Sequence, residues 1–285
     1  MLCILLAFSA CAVTEKASEL QNQESTLSTN ARNNSTLSKK FPSPKDYSKA
    51  YSYRTNTPNH DIVSFLQNPR NDSLRLENPE LYLQSLAFLI DSTKDEFEKV
   101  KMVYDAVSLL LDYDIEGFAN RKLDSQQWSD ILISKKSVCE GYANLFKQIC
   151  DLLKIPCEKV HGYARGLYKT SLNEDTSPNH AWNIVKIQDE WYYIDCTWGS
   201  GALNQNKAQI GYNTDWLFVK GDYFVYTHFP TDSNYQLTQK KISLKEFKKT
   251  PRLDPIFFEK YSLTVDLPAP VLPVRPTSFF IRLSP

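Results

Sequence analysis

Along the chain, apolar positions follow a helical period first and a strand period later. Pro79 to Ile90 predicts one helix. Thr93-Lys-Asp-Glu96 has the spacing of a capping box, and Phe97, Val100, Tyr104, Val107 and Leu111 follow it at helical intervals. Ser125 to Ile133 predicts a shorter helix. A third carries Val138, Tyr142, Leu145, Ile149 and Leu152 on one stripe and stops at Ile155-Pro156. From residue 158 the period shortens to that of strands. "KVHGYARG" predicts a strand, a polar loop covers residues 169–179, and "HAWNIVKI" and "WYYIDCTW" predict a hairpin. "DWLFV" and "YFVYTHF" continue the β pattern. "SLKEFKK" predicts a helix opened by a capping box from Ser243 to Glu246 and closed before Pro251. Helices followed by strands predict an α+β fold, with N-terminal helices packed on an antiparallel sheet.

The ends differ from this body. "MLCILLAFSAC" is a short apolar run closing on small residues and a cysteine, and it resembles a bacterial lipoprotein signal. On that reading residues 1–11 are a signal segment, Cys11 is the lipidated residue, and the mature protein is exported and tethered to the cell envelope. Phe8 stands where such signals usually carry an aliphatic residue, and the basic leader is missing. Residues 12–45 are rich in Ser, Thr, Asn, Gln and Lys without an apolar period, which predicts a flexible polar tether. Residues 256–285 read as β-like segments broken by prolines, the start of a further domain that the given sequence does not complete.

Composition narrows the function. The 285 residues contain 33 Lys plus Arg and 33 Asp plus Glu, so no overall basic balance points to nucleic acid. No stretch after residue 20 matches the roughly 20 apolar residues of a membrane span, which leaves the N-terminal lipid as the expected membrane contact. Cys139, Cys150, Cys157 and Cys196 lie in the body. With His161 the first three could suggest zinc, but they lack a close pair of the Cys-x-x-Cys kind, and no metal is expected. Buried thiols rather than disulfides are expected at Cys150 and Cys157.

Cys139 is the candidate nucleophile. In "SVCEGYANLF", Ser137 and Glu140 have the spacing of a capping box, which puts Ser137 at the N-cap and Cys139 at the second helical position. Free backbone N–H groups and the helix dipole favour a thiolate there. Gly141 costs about 1 kcal/mol in a helix interior relative to alanine, which suggests a close neighbour. A nucleophilic cysteine requires an imidazole, and the imidazole an orienting carboxylate. His180 opens the first hairpin strand and Asp195 lies near the end of the second. With Gln188-Asp189 as a two-residue loop and Ile187 opposite Glu190, His180 falls opposite Thr197, and Asp195 is its diagonal neighbour on the same face. A three-residue loop would put the two on opposite faces. Taken singly, His180 reads as a core histidine and Asp195 as a strand-end residue binding turn amides.

Three motifs in order, "KSVCEGYA", "NHAWN" and "WYYIDCTWG", resemble those of the transglutaminase-like superfamily, and in particular its kyphoscoliosis-peptidase-like group and bacterial relatives. The likeness runs from about residue 95 to 250 and takes in "LLLDYDI" and "FVYTHFP". It implies a papain-like, transglutaminase-like domain over residues 46–255, with Cys139 as nucleophile, His180 as general base and Asp195 as its orienting carboxylate. Gln126 or Gln127 is implied as an oxyanion-hole side chain, beside the Cys139 backbone N–H. Lys135-Lys136-Ser137 replaces a glycine-containing turn, and Cys196 stands where proline is common. The implied reaction is acyl transfer on a protein or peptide substrate through a thioester, without a cofactor. Water as acceptor makes a peptidase or amidase; an amine makes a crosslinking transglutaminase. The competing reading is a surface-tethered interaction module that keeps the fold without turnover.

Overall fold

The computed structural model describes residues 41–166, 177–201, 203–204, 207–208 and 211–261. The signal-like segment with Cys11, the tether up to residue 40, most of the polar loop and the tail from residue 262 lie outside the described residues. The described chain opens with five helices, α1 (Ser48–Ser52), α2 (His60–Gln67), α3 (Pro69–Glu77), α4 (Pro79–Ile90) and α5 (Glu96–Leu110). A short strand β1 (Asp112–Tyr113), helices α6 (Ile115–Asn120) and α7 (Trp128–Ser134) and strand β2 (Lys136–Ser137) lead into α8 (Cys139–Leu152). Strands β3 (Cys157–Ala164), β4 (His180–Ile187) and β5 (Glu190–Ile194) follow. After them come a helical turn α9 (Cys196–Gly199), a small pair β6 (Leu203–Asn204) and β7 (Lys207–Ala208), and β8 (Leu217–Val219). Helical turn α10 (Gly221–Phe224), strand β9 (His228–Pro230) and helices α11 (Leu244–Lys249) and α12 (Pro255–Tyr261) complete the order. One five-stranded antiparallel sheet runs β8-β5-β4-β3-β9, and β1 pairs with β2 in parallel.

Strand alternation divides the core. Val185, Ile187, Tyr192 and Ile194 face the helices and join Val100, Val103, Tyr142, Leu145, Phe146 and Ile149 in the main cluster. Their neighbours Trp182, Ile184, Trp191 and Tyr193 face the other way and pack with Val160, Trp216, Val219 and Phe224. Asn183 ties the sheet to the cysteine helix, its amide donating to the Ala143 carbonyl at 3.1 Å. The α+β expectation therefore holds, with the N-terminal helices packed on one face of an antiparallel sheet.

Several boundaries move. Asp95 rather than Thr93 caps α5, accepting from the Phe97 and Glu98 amides, while the Thr93 hydroxyl bonds the Glu98 carboxylate. A carboxylate at the positive helix end is favoured over a hydroxyl. The helix expected from Ser125 begins at Trp128. "YFVYTHF" is not one strand, because Tyr223 and Phe224 close α10 and only His228 onward is extended; an apolar run that short does not separate buried strand from helical turn. Phe41 packs edge-on against Trp191, and Trp191 N–H donates to the Pro42 carbonyl at 2.9 Å, so the last residues assigned to the tether are docked. At the other end α12 crosses residue 255 and buries Phe258 beside Tyr226 and Phe247. The capping box from Ser243 to Glu246 forms as expected.

The hairpin carries the register on which the site depends. Ile187 pairs with Glu190 and the ladder runs without slippage to Asn183 opposite Ile194. Gln188 and Asp189 form the two-residue loop at φ 50° and 70°, the left-handed pair that matches strand twist. Gln188 is not a favoured occupant of that conformation, and Asp189 tolerates it less well than glycine. Replacing the pair by Asn-Gly should stabilise the fold by about 0.5–1 kcal/mol, read as a higher urea midpoint at unchanged slope; a lower midpoint would contradict the turn geometry.

Candidate active site

Asp195 lies one residue beyond the end of β5, at the N-cap of α9, where its Oδ1 accepts from the Trp198 amide at 3.0 Å. Its other oxygen accepts from two imidazoles. His180 Nε2 lies 2.8 Å from Oδ2 and His228 Nε2 lies 3.2 Å from the same atom. The carboxylate is 1% exposed. A charge so deeply buried persists only when paired and hydrogen-bonded. The expected meeting of His180 and Asp195 is therefore present, and the turn-amide role weighed against it is present as well, each using one carboxylate oxygen.

Electrostatics divide the two imidazoles. Burial opposes charge on His180, but the Asp195 charge, the neighbouring Cys139 and hydrogen bonds to both raise it to about 10. With Nε2 committed to Asp195, Nδ1 is the ring atom left for Cys139. Asp195 is opposed by burial too, yet the His180 charge and hydrogen bonds from both histidines hold it well below the usual carboxylate range. For His228 burial wins, and it is pushed down to about 4. Its place was missed in the sequence, although a histidine inside "FVYTHFP" is a buried polar group that must find a partner.

Cys139 is the first residue of α8 and is partly exposed, whereas Cys150, Cys157 and Cys196 are buried; all four are free thiols. Burial pushes the Cys150 and Cys196 thiols up, away from reactivity. The helix mouth is built differently from the expected capping box. Val138 is the N-cap and makes no side-chain cap bond, so Cys139 is the first rather than the second helical residue. Ser137 Oγ instead lies 2.8 Å from Gln126 Oε1 and 2.9 Å from the Val138 carbonyl. Glu140 turns outward to Lys159 and His161, the latter at 2.8 Å. The glycine at 141 makes room for Ser137: a Cβ there would sit 2.0 Å from Ser137 Oγ.

Gln126 is beside the nucleophile but turned inward. Its Oε1 accepts from the Val138 amide at 3.2 Å, which fixes that atom as the oxygen, and its Nε2 donates to the Asp124 carbonyl at 2.9 Å. Asn144, one turn into α8, donates to the Gln126 carbonyl at 2.8 Å. Gln126 thus braces the start of the cysteine helix. Gln127 is exposed at the N-cap of α7 and makes no side-chain cap bond there.

His180, Asp195 and His228 offer ligand atoms within 4.8 Å of one another. Both nitrogens lie at hydrogen-bonding distance from one carboxylate oxygen, which describes a bonded polar network rather than three donors aimed at a common ion.

Residues 84–196, which carry Cys139, His180 and Asp195, match the model of the family described as the transglutaminase-like superfamily. The match supports that superfamily for this region, and the arrangement of helices on an antiparallel sheet is the transglutaminase-like, papain-like fold. The chain is 30% identical over 179 residues to kyphoscoliosis peptidase of Homo sapiens and 28% identical over 179 residues to that of Mus musculus. Each alignment covers 62% of this chain and 27% of the relative, so the chain spans about a quarter of the length of these curated relatives. The crystal structure of a TGase aligns at 18% identity and a TM-score of 0.32, covering 53% of this chain and 36% of that one.

The pKa directions set a pH dependence. His180 is raised above its unfolded value of about 6.5, so its pairing contributes fully below that pH and is lost as pH rises through about 10. His228 is depressed, so its contribution is present above about 6.5 and fades as pH falls toward about 4. The stability advantage of wild type over His180→Gln should shrink between pH 7 and 10, as measured by urea unfolding. A constant difference would mean that His180 and Asp195 do not form an ion pair.

Proposed function

We propose that the chain is a thiol-dependent acyl-transfer enzyme acting on proteins or peptides. Cys139 is the nucleophile, His180 the acid–base group and Asp195 its anchor. The observation that carries this reading is His180 held at 2.8 Å by buried Asp195, with Cys139 at the open end of a helix near enough to act on the charge of its ring. In the first half-reaction Cys139 Sγ forms a bond to a carboxamide or peptide carbonyl carbon. The C–N bond breaks and the amine departs with a proton from His180. The Cys139 N–H, one of the unpaired amides at the start of α8, is a donor for the oxyanion. Water or an amine then gives its proton to His180, attacks the thioester and frees the thiol. Hydrolysis gives a peptidase or amidase, in keeping with the name of the kyphoscoliosis peptidase relatives; aminolysis gives a crosslinking enzyme. No cofactor enters this scheme.

Casein and glutamine-donor peptides incubated with a fluorescent amine tracer separate the two outcomes. Peptide release without tracer incorporation means hydrolysis, and incorporation means transamidation. Cys139→Ala should abolish either activity, and His180→Ala should lower it roughly a thousandfold or more. Iodoacetamide labelling of Cys139 should persist at pH 6 in wild type and fail there in His180→Ala. An ordinary thiol labelling profile in wild type would overturn the catalytic reading. Wild type and Cys139→Ala that are equally inert yet bind one partner equally well would establish the interaction module instead.

The export reading rests on the N-terminal segment alone. Expressed in a bacterial host, the protein should incorporate labelled palmitate, and Cys11→Ala should not; equal incorporation would exclude lipidation at Cys11.

A further inference from the structure

We infer that His228 is a positioning residue of the site, a neutral imidazole that donates its Nε2–H to Asp195 and sets how strongly the carboxylate holds His180. The inference takes its reaction from the acyl-transfer reading and adds a member to the machinery. A carboxylate only accepts, so each Nε2 facing Asp195 Oδ2 carries a hydrogen. His180 and His228 therefore share one oxygen, at 2.8 and 3.2 Å, while Trp198 N–H occupies the other.

A neutral His228 then has Nδ1 as an acceptor, and Thr227 Oγ1 is 2.9 Å away to donate to it. The same hydroxyl is 3.1 Å from the Phe224 carbonyl, which competes for its single hydrogen. If the hydroxyl turned to Phe224, Nδ1 would have to carry a hydrogen of its own and the ring would become charged. The surroundings oppose that charge. The His228 ring stacks on Phe224 with centroids 4.0 Å apart and planes 7° apart, and Trp198, Trp182 and Trp216 lie at 4.4, 5.1 and 5.6 Å. Its side chain has no exposed surface, and burial of an imidazolium is costly. Thr227 thus selects the tautomer, and the aromatic walls keep it neutral.

The consequence falls on His180. Two N–H groups on one oxygen divide the carboxylate charge between a ring that stays neutral and a ring that cycles its proton. Without the His228 donor, Oδ2 turns wholly to His180, and His180 yields its proton to the leaving amine less readily. A hydrogen bond to a charged group corresponds to roughly ten- to hundredfold in an equilibrium or rate. His228→Phe should lower kcat by about tenfold or more with little change in KM.

The test is made on resting protein without substrate. The low-field imidazole N–H resonance of His180, identified by its loss in His180→Gln, is recorded for wild type, His228→Phe, His228→Gln and Thr227→Val. Thermal melting of each variant checks folding. The resonance should move downfield in His228→Phe and return toward its wild-type position in His228→Gln, whose amide reaches the same oxygen. A folded His228→Phe with an unmoved resonance overturns the proposal, as does an equal displacement in the Phe and Gln variants. If His228→Phe does not fold, Thr227→Val decides: a displaced resonance supports the relay, and an unmoved one overturns it. The readout is independent of turnover. An inert wild type with the expected resonance shifts would sink the acyl-transfer reading and leave the coupling standing.

Discussion

A single buried carboxylate organises this molecule. Asp195 lies beneath the protein surface with three donors on two oxygens, the Trp198 amide on one and the His180 and His228 rings on the other. An ionised carboxylate in such surroundings would cost several kcal/mol without partners. Satisfying it brings together the end of β5, the first residue of β4, the first residue of β9 and the helical turn α9. The charge that orients the imidazole thus also ties the β9 edge of the sheet to its centre.

Precision comes from backbone rather than side-chain reach. The two-residue turn at Gln188-Asp189 keeps β4 and β5 in one register from Ile187–Glu190 to Asn183–Ile194. A slip of one residue would exchange the Trp182 and Val185 faces and turn His180 away from Asp195. Asn183 adds a second lock by bonding the Ala143 carbonyl on the cysteine helix. Helix and hairpin therefore cannot shift independently without breaking a buried polar bond.

The helix mouth shows a different solution from the one its letters suggest. Ser137 and Glu140 have capping-box spacing, yet Ser137 faces Gln126 and Glu140 faces Lys159 and His161. Local bonding to the helix amides loses to partners supplied by β3 and by the segment before α7. This leaves the first amides of α8 uncovered by a side-chain cap beside Cys139, at a helix start where negative charge is favoured. Gly141 is tied to the same arrangement, since any larger residue would strike the Ser137 hydroxyl.

Periodicity in the sequence was enough to determine the α4 helix, most of the α8 stripe and the two strands of the β4–β5 hairpin, because 3.6- and 2-residue repeats are local properties; the parity of the hairpin loop was decided by the fold. The pairing of His180 with Asp195 followed only on condition of a two-residue loop, and the fold supplies that loop. The sequence did not reveal His228 as a partner of Asp195: β9 reaches its place through β3, and no spacing along the chain encodes that neighbour. Nor did it distinguish the capping box that forms at Ser243 from the one that does not at Ser137. Ser243 is exposed and Glu246 half-buried on a short surface helix, where the local bonds form. Ser137 is buried, and there the tertiary neighbours decide which hydrogen bonds are made.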